Sequence, residues 1–408
     1  MTIDLSTITF TNGADIVPES GDEAIVNTGI AIANTLAGND TITGIGGPFN
    51  IFDPPPEGSP YGIFNSGTLN TAEGNDIITG TGGVDGIINS GTFNTAEGND
   101  IITGTGNYFY GIYNLGTLNT AEGSDIITGN GVAAGIYNRG TFNTANGNDV
   151  ITGTGGKSSG IFIADGSSLD TGNGHDRISG NGTTGISNAS MTFTTGDGND
   201  TIAGTGSVYG IRNEGLIKTD NGQDTIIAIN DGPYGFALSN FSTIDTGDGD
   251  DIITAIGDID NGGTIDTGYG DDIITGSGAF YHTGTIETGY GDDIITVIGG
   301  FYNAGKINTG NGADFIIANG GFYGMGSVSL GNGKDYLKGF GTGNFNGGKN
   351  EDTLELTSGS YTIGISGTTV SFTYSGVIME TSEFEKLIAG STTYDFTSLT
   401  DGQTIVVA

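Results

Sequence analysis

The chain has 408 residues, 80 of them glycine and none cysteine, and a net charge of −37 from 47 acidic and 10 basic residues. So large an excess of carboxylates repels nucleic acid and anionic membrane surfaces, and the lack of thiols removes disulfides and thiolate metal sites. No apolar run approaches the length of a membrane span, so membrane insertion is not expected.

From the amino end, Met1 to Phe10 has neither a basic segment nor a long apolar stretch, so a cleaved secretory signal is not expected. A repeat then begins. Asp15, Asp40, Asp76, Asp100, Asp125, Asp149, Asp176, Asp200, Asp224, Asp251, Asp272, Asp293, Asp314, Asp335 and Asp352 each stand two residues before Val, Ile or Leu. Most intervals are 21–27 residues. Such self-similarity predicts a solenoid whose coils bury their apolar faces only by stacking. The expected fold is all-β: a parallel β-solenoid of about 14–15 coils over residues 1–356, with a β-rich cap at 357–408. Helices are excluded by the frequent glycines and the β-branched Ile and Thr between them. The long step from Asp40 to Asp76 is explained by a proline-rich insertion, residues 48–61, read as a tolerated bulge or a partner loop.

The segment 86–106, GIINSGTFNTAEGNDIITGTG, shows one coil. Strands are expected at 86–88, 92–95 and 101–103. Period-two alternation turns Phe93 inward, together with Leu69, Leu118, Phe142, Leu169, Phe193, Ile217, Ile244, Ile265, Ile286 and Ile307 one coil apart. The residues two after each anchor form a second inward column. Asn65, Asn89, Asn114, Asn138, Asn188, Asn213 and Asn303 mark a corner, where stacked amides can bond from coil to coil. Outward rows such as Ile77/Thr79/Thr81, Ile101/Thr103/Thr105 and Val150/Thr152/Thr154 make a Thr-rich strip.

The turn before each anchor carries the chemistry. In the second half it reads G-x-G-x-D, with Gly172 and Gly174 before Asp176, Gly196 and Gly198 before Asp200, and Gly247 and Gly249 before Asp251. The pattern continues with Gly268 and Gly270, Gly289 and Gly291, Gly310 and Gly312, and Gly331 and Gly333, before Asp272, Asp293, Asp314 and Asp335. Glycine permits positive φ and turns carbonyls into the bend, and a carboxylate follows. Two stacked turns then offer the all-oxygen surroundings that Ca²⁺ prefers over Mg²⁺. In the first half the first Gly is replaced, for example by Ala72 and Ala96, so the metal role of Asp40, Asp76, Asp100, Asp125 and Asp149 is less well supported. Glu73, Glu97 and Glu122 add a ligand or face water.

These turns resemble the hemolysin-type calcium-binding repeats of RTX proteins, G-G-x-G-x-D-x-U-x, and the segment 347–354, GGKNEDTL, is similar to one full motif with Asn350 in place of a Gly. The resemblance implies Ca²⁺ between successive coils, bound by Asp side chains and Gly-turn carbonyls. It also implies type I export by a carboxy-terminal segment, without an amino-terminal signal. The 21–27-residue spacing departs from the family's nine, which suggests one ion row and a wider coil.

The expected function is a non-enzymatic, calcium-stabilised structural or adhesion solenoid, outside the cell or on its surface. Catalysis is disfavoured by two histidines (His175 and His282) and three arginines. The alternatives are a module or enzyme acting on polysaccharide, with Tyr269 and Tyr290 as sugar platforms, and an ice- or surface-binding protein acting through the Thr rows.

Overall fold

The computed structural model describes residues 2–17, 23–28, 32–47 and 59–408. The chain divides into two compact units. The first comprises Met1–Asp220 with Ile227–Gly235, the second Asn221–Ile226 with Phe236–Ala408. All but residues 59–61 of the insertion lies outside the described residues.

Both units are parallel β-solenoids, about 13 turns in all, and the described helical residues are two 3₁₀ turns, Leu5–Thr7 and Phe396–Ser398. One coil of the first unit runs through strands Ile87–Asn89, Thr92–Asn94 and Ile101–Gly106. The third strand is longer than the sequence suggests, because its Gly104 and Gly106 continue the strand instead of breaking it. Gly104 faces inward at a tight corner, where an added Cβ would lie 2.2 Å from the carbonyl oxygen of Gly111. Only glycine lets the backbones approach so closely.

Stacking is in strict register. Ile78, Ile102, Ile127 and Ile151 are direct partners, as are Leu69, Phe93, Leu118 and Phe142. Every residue of both columns in these coils is fully buried. A third inward column, not singled out in the sequence, completes the core with Ile63, Ile87, Ile112, Ile136, Ile161, Ile186 and Ile211. Its signal is the recurring Gly-Ile-x-Asn. In the second unit the same position holds Leu238, Ile259, Phe280, Phe301 and Phe322.

The corner asparagines form buried relays. Asn27 Nδ2 donates to Asn65 Oδ1, Asn65 to Asn89, Asn89 to Asn114 and Asn114 to Asn138, at 2.8–2.9 Å. In the second unit Asn240 donates to Asn261 at 2.8 Å, and the next rung is a histidine: Asn261 Nδ2 lies 3.1 Å from His282 Nδ1.

The last strands turn antiparallel. Gly359–Ser366 pairs with Thr369–Tyr374 and with Thr404–Val407. Two cap strands nevertheless continue the solenoid: Val377–Ser382 pairs in parallel with Gly343–Lys349, and Lys386–Ala389 with Thr353–Leu356. The repeat therefore persists beyond residue 356 as one degenerate coil inside the cap. Phe384 and Glu385 belong to the turn of that coil.

Candidate functional site

The anchors from Asp40 to Asp352 are buried, and within each unit successive coils are tied by the same bond. In the first unit the N–H of Asp15 donates to Asp40 Oδ1 at 2.8 Å. Asp40 then donates to Asp76, Asp76 to Asp100, Asp100 to Asp125, Asp125 to Asp149, Asp149 to Asp176, and Asp176 to Asp200, at 2.7–2.8 Å. In the second unit the relay runs from Asp224 through Asp251, Asp272, Asp293, Asp314 and Asp335 to Asp352, at 2.8–3.0 Å. It ends where Asp352 N–H donates to Glu385 Oε2 at 2.8 Å. Glu385 was missed in the sequence. It stands two residues before Leu387, as each Asp stands before its apolar residue, and Glu383, in the place of the second motif glycine, has a positive φ of 55°.

One carboxylate oxygen is thereby engaged and the other is not. The buried Oδ2 atoms of Asp40, Asp76, Asp100, Asp125, Asp149 and Asp176, and of Asp251, Asp272, Asp293, Asp314, Asp335 and Asp352, have no hydrogen-bond partner. Burial holds these carboxyls well above the usual range. A nearby Thr hydroxyl (for most of the row) and the incoming N–H partly offset the shift. The pKa is raised to about 6 at Asp76, Asp125, Asp251, Asp293 and Asp335. It reaches about 7 at Asp100, Asp149, Asp176, Asp314 and Asp352. Asp272 reaches about 8, pushed by burial and then by the charges of Asp293 and Asp251. An isolated buried anion is costly unless a proton or a cation neutralises it. Hard-cation chemistry fits these rows: adjacent anchors present unpartnered carboxylate oxygens on successive coils, beside carbonyl-rich turns. Among the described residues no group of three or more His, Asp or Glu side chains converges as a metal cage, so such an ion would also need carbonyls or water.

The turns explain their glycines. An added Cβ on Gly98 would sit 1.7 Å from Gly74 O, so the position two before the anchor is bare in these turns, Asn350 before Asp352 being the exception. Four residues before the anchor a left-handed backbone is required: Gly172, Gly196, Gly247, Gly268, Gly289, Gly310 and Gly331 hold φ of 74–102°. Ala72, Ala96, Ala121 and Ala145 adopt the same sign at 57–60°. The alanine turns therefore share the hand of the glycine turns, at the cost of a left-handed backbone that a Cβ disfavours. Glu73, Glu97 and Glu122 have exposed side chains, while their carbonyls accept the N–H of Gly38, Gly74 and Gly98.

A second, exposed ladder runs beside the anchors, one residue earlier. The N–H of Asn75, Asn99 and Ser124 donates to the side chain of Asn39, Asn75 and Asn99, and Asn199 N–H to His175 Nδ1. In the second unit its members are carboxylates: Asp271 N–H donates to Asp250 Oδ1 at 3.0 Å, and Asp292 N–H to Asp271 Oδ1 at 2.7 Å. The Asp-Asp doublets 250–251, 271–272 and 292–293 are its sequence signal. Tyr269 and Tyr290 stack at 4.8 Å with planes 5° apart on the same turns. Both histidines are thus ladder members, as neither is paired with a nucleophile in these contacts.

A crystal structure of a hyperactive, Ca²⁺-dependent, β-helical antifreeze protein from an Antarctic bacterium is similar over 97% of this chain and 98% of that one, at 17% identity and a TM-score of 0.46. No family model and no curated protein sequence matches the chain. Membership of the RTX family is not shown.

Proposed function

We propose that the protein is a non-enzymatic, calcium-stabilised solenoid that serves as a structural or adhesive surface outside the cell. The observation that carries this reading is the row of buried anchors, each with one carboxylate oxygen unpartnered. Asp176, Asp251, Asp272, Asp293, Asp314, Asp335 and Asp352 would hold the ions with carbonyls of their Gly turns, Asp76, Asp100, Asp125 and Asp149 would do the same through the alanine turns, and Asp40 through the turn that Leu36 opens. Calcium would supply charge neutralisation, converting binding free energy into folding free energy. Sites tuned to extracellular calcium have midpoints near 10⁻⁴–10⁻³ M, which places the folded state outside a low-calcium cytosol and suits export by the type I route. Calcium titration followed by circular dichroism and calorimetry tests this. A gain of β signal with uptake of several ions per chain supports it, and a full β spectrum at neutral pH in excess chelator, with no heat on adding calcium, overturns it.

A second reading is favoured by one surface. In the first unit Ile77/Thr79/Thr81, Ile101/Thr103/Thr105, Ile126/Thr128/Asn130 and Val150/Thr152/Thr154 are aligned partner to partner on the outer side of one parallel sheet. Strands about 4.8 Å apart and side chains about 6.7 Å apart along each strand make a regular array of methyl and hydroxyl groups. Such an array suits a periodic solid such as ice better than a curved ligand. Thermal hysteresis of the calcium-loaded protein, lost in Thr103→Lys, would establish it, and its absence would leave the face a plain sheet surface.

A further inference from the structure

In the second unit a column of exposed tyrosines runs up the outer side of the coils. Tyr281 and Tyr302 stack at 4.9 Å with planes 9° apart, and Tyr302 and Tyr323 at 4.8 Å and 22°. The next coil continues the column in register, since Phe322 pairs with Gly341. The residue after Gly341 is Thr342, so the rung above Tyr323 carries a small side chain where the three below carry rings. Tyr323 and Thr342 both line a cavity of about 310 Å³ at this step in the column.

The walls define what that cavity can hold. Tyr323, Phe340 and Tyr374 supply ring surface, and Asn319, Thr342 and Ser375 supply amide and hydroxyl groups at its margin. Phe340 and Tyr374 pack edge to face at 6.1 Å, which holds that wall in place. The Tyr323 hydroxyl is committed to Gly320 O at 3.1 Å, fixing the platform. No lining residue is charged, in a chain with 47 acidic residues. Anions are repelled by the whole protein, and a cation would find no carboxylate in this cleft to partner it.

We propose that this cleft binds an uncharged sugar ring, which enters as the next rung of the tyrosine column. The apolar face of the ring stacks on Tyr323 against the Phe340–Tyr374 wall, and its hydroxyls meet Asn319, Ser375 and the neighbouring backbone. A flat ring fits because coils repeat about every 4.8 Å, and the polar margin favours a polyhydroxylated ring over a wholly apolar one. The site is independent of the calcium rows and is assayed with calcium saturating, so its failure leaves the metal reading untouched.

Calorimetric titration with maltohexaose and cellohexaose, against an oligogalacturonate and N-acetyltyrosine amide, tests the assignment. A neutral hexaose is expected to bind, the uronate not. Thr342→Tyr should lower affinity at least tenfold with no loss of melting temperature, because the new ring completes the column and occupies the cleft. Tyr323→Ala should lower it similarly, while Tyr269→Ala, on another face, should not. Binding of the amide alone, binding of no probe, or full affinity in Thr342→Tyr would overturn the proposal. Should Thr342→Tyr misfold, Tyr374→Ala serves in its place.

Discussion

Ala72, Ala96, Ala121 and Ala145 hold a left-handed backbone that a Cβ disfavours by roughly 1–2 kcal/mol each. Ala96→Gly should therefore stabilise the folded chain by about 1 kcal/mol despite the looser unfolded state, read as a rise in urea midpoint at unchanged slope. Gly98→Ala, two residues on, should be strongly destabilising, because its Cβ meets Gly74 O. The anchors show a different trade. Asparagine in place of Asp272 keeps an oxygen for the N–H of Asp251 and removes the charge that burial penalises. Asp272→Asn should raise metal-free stability at pH 8.5 by roughly 1–3 kcal/mol and lower calcium uptake by titration. A loss of stability in metal-free buffer would show that the anion is already compensated. The Asp at each anchor was plain in the sequence, but its inward burial was not. A one-dimensional pattern reveals which residue recurs, whereas the side of the wall it faces depends on where its N–H neighbour sits one coil away.

At the scale of the strand and turn, the two inward columns read by alternation are the core, and the Asn corner relay follows from repetition of one residue type. The third column escaped notice because Gly-Ile-x-Asn is too short to show alternation, and the long third strand because Gly104 and Gly106 read as a link. The last turn was obscured by substitution: Glu385 keeps the acceptor role of the anchor without its letter. Glu385→Ala should leave the N–H of Asp352 without its acceptor and cost about 1–3 kcal/mol, while Glu385→Asp should recover part of it. Melting of the full chain with calcium present measures both, and equal losses would mean that the side chain matters only for its bulk. Phe93→Ala, by contrast, empties part of a fully buried column and should cost about 3–5 kcal/mol.

For the molecule as a whole, the raised anchors set how stability follows pH. Their folded pKa values of about 6–8 lie above the unfolded value of 3.8. The unfolded chain thus gives up these protons first, and the stability held by the protonated rows is present near pH 4 and lost as pH rises through 6–8. Metal-free protein should melt at a higher temperature at pH 5 than at pH 8.5, and millimolar calcium should lift the pH 8.5 value most. Scanning calorimetry in metal-free buffer checks this, and a midpoint that climbs with pH would contradict it. His282 works in the opposite sense. Burial lowers its pKa, and the contacts with Lys306 and Asn261 offset this only in part, so its contribution is present above the usual imidazole value and lost as pH falls below it. Within each unit the anchor bond also points one way along the chain, from the N–H of one coil to the carboxylate of its successor. A chain delivered amino end first therefore carries, at every moment, one coil whose donor is still waiting, and each arriving coil closes the one before it. A row that closes in this order is capped in the second unit by Glu385, which takes the final donor.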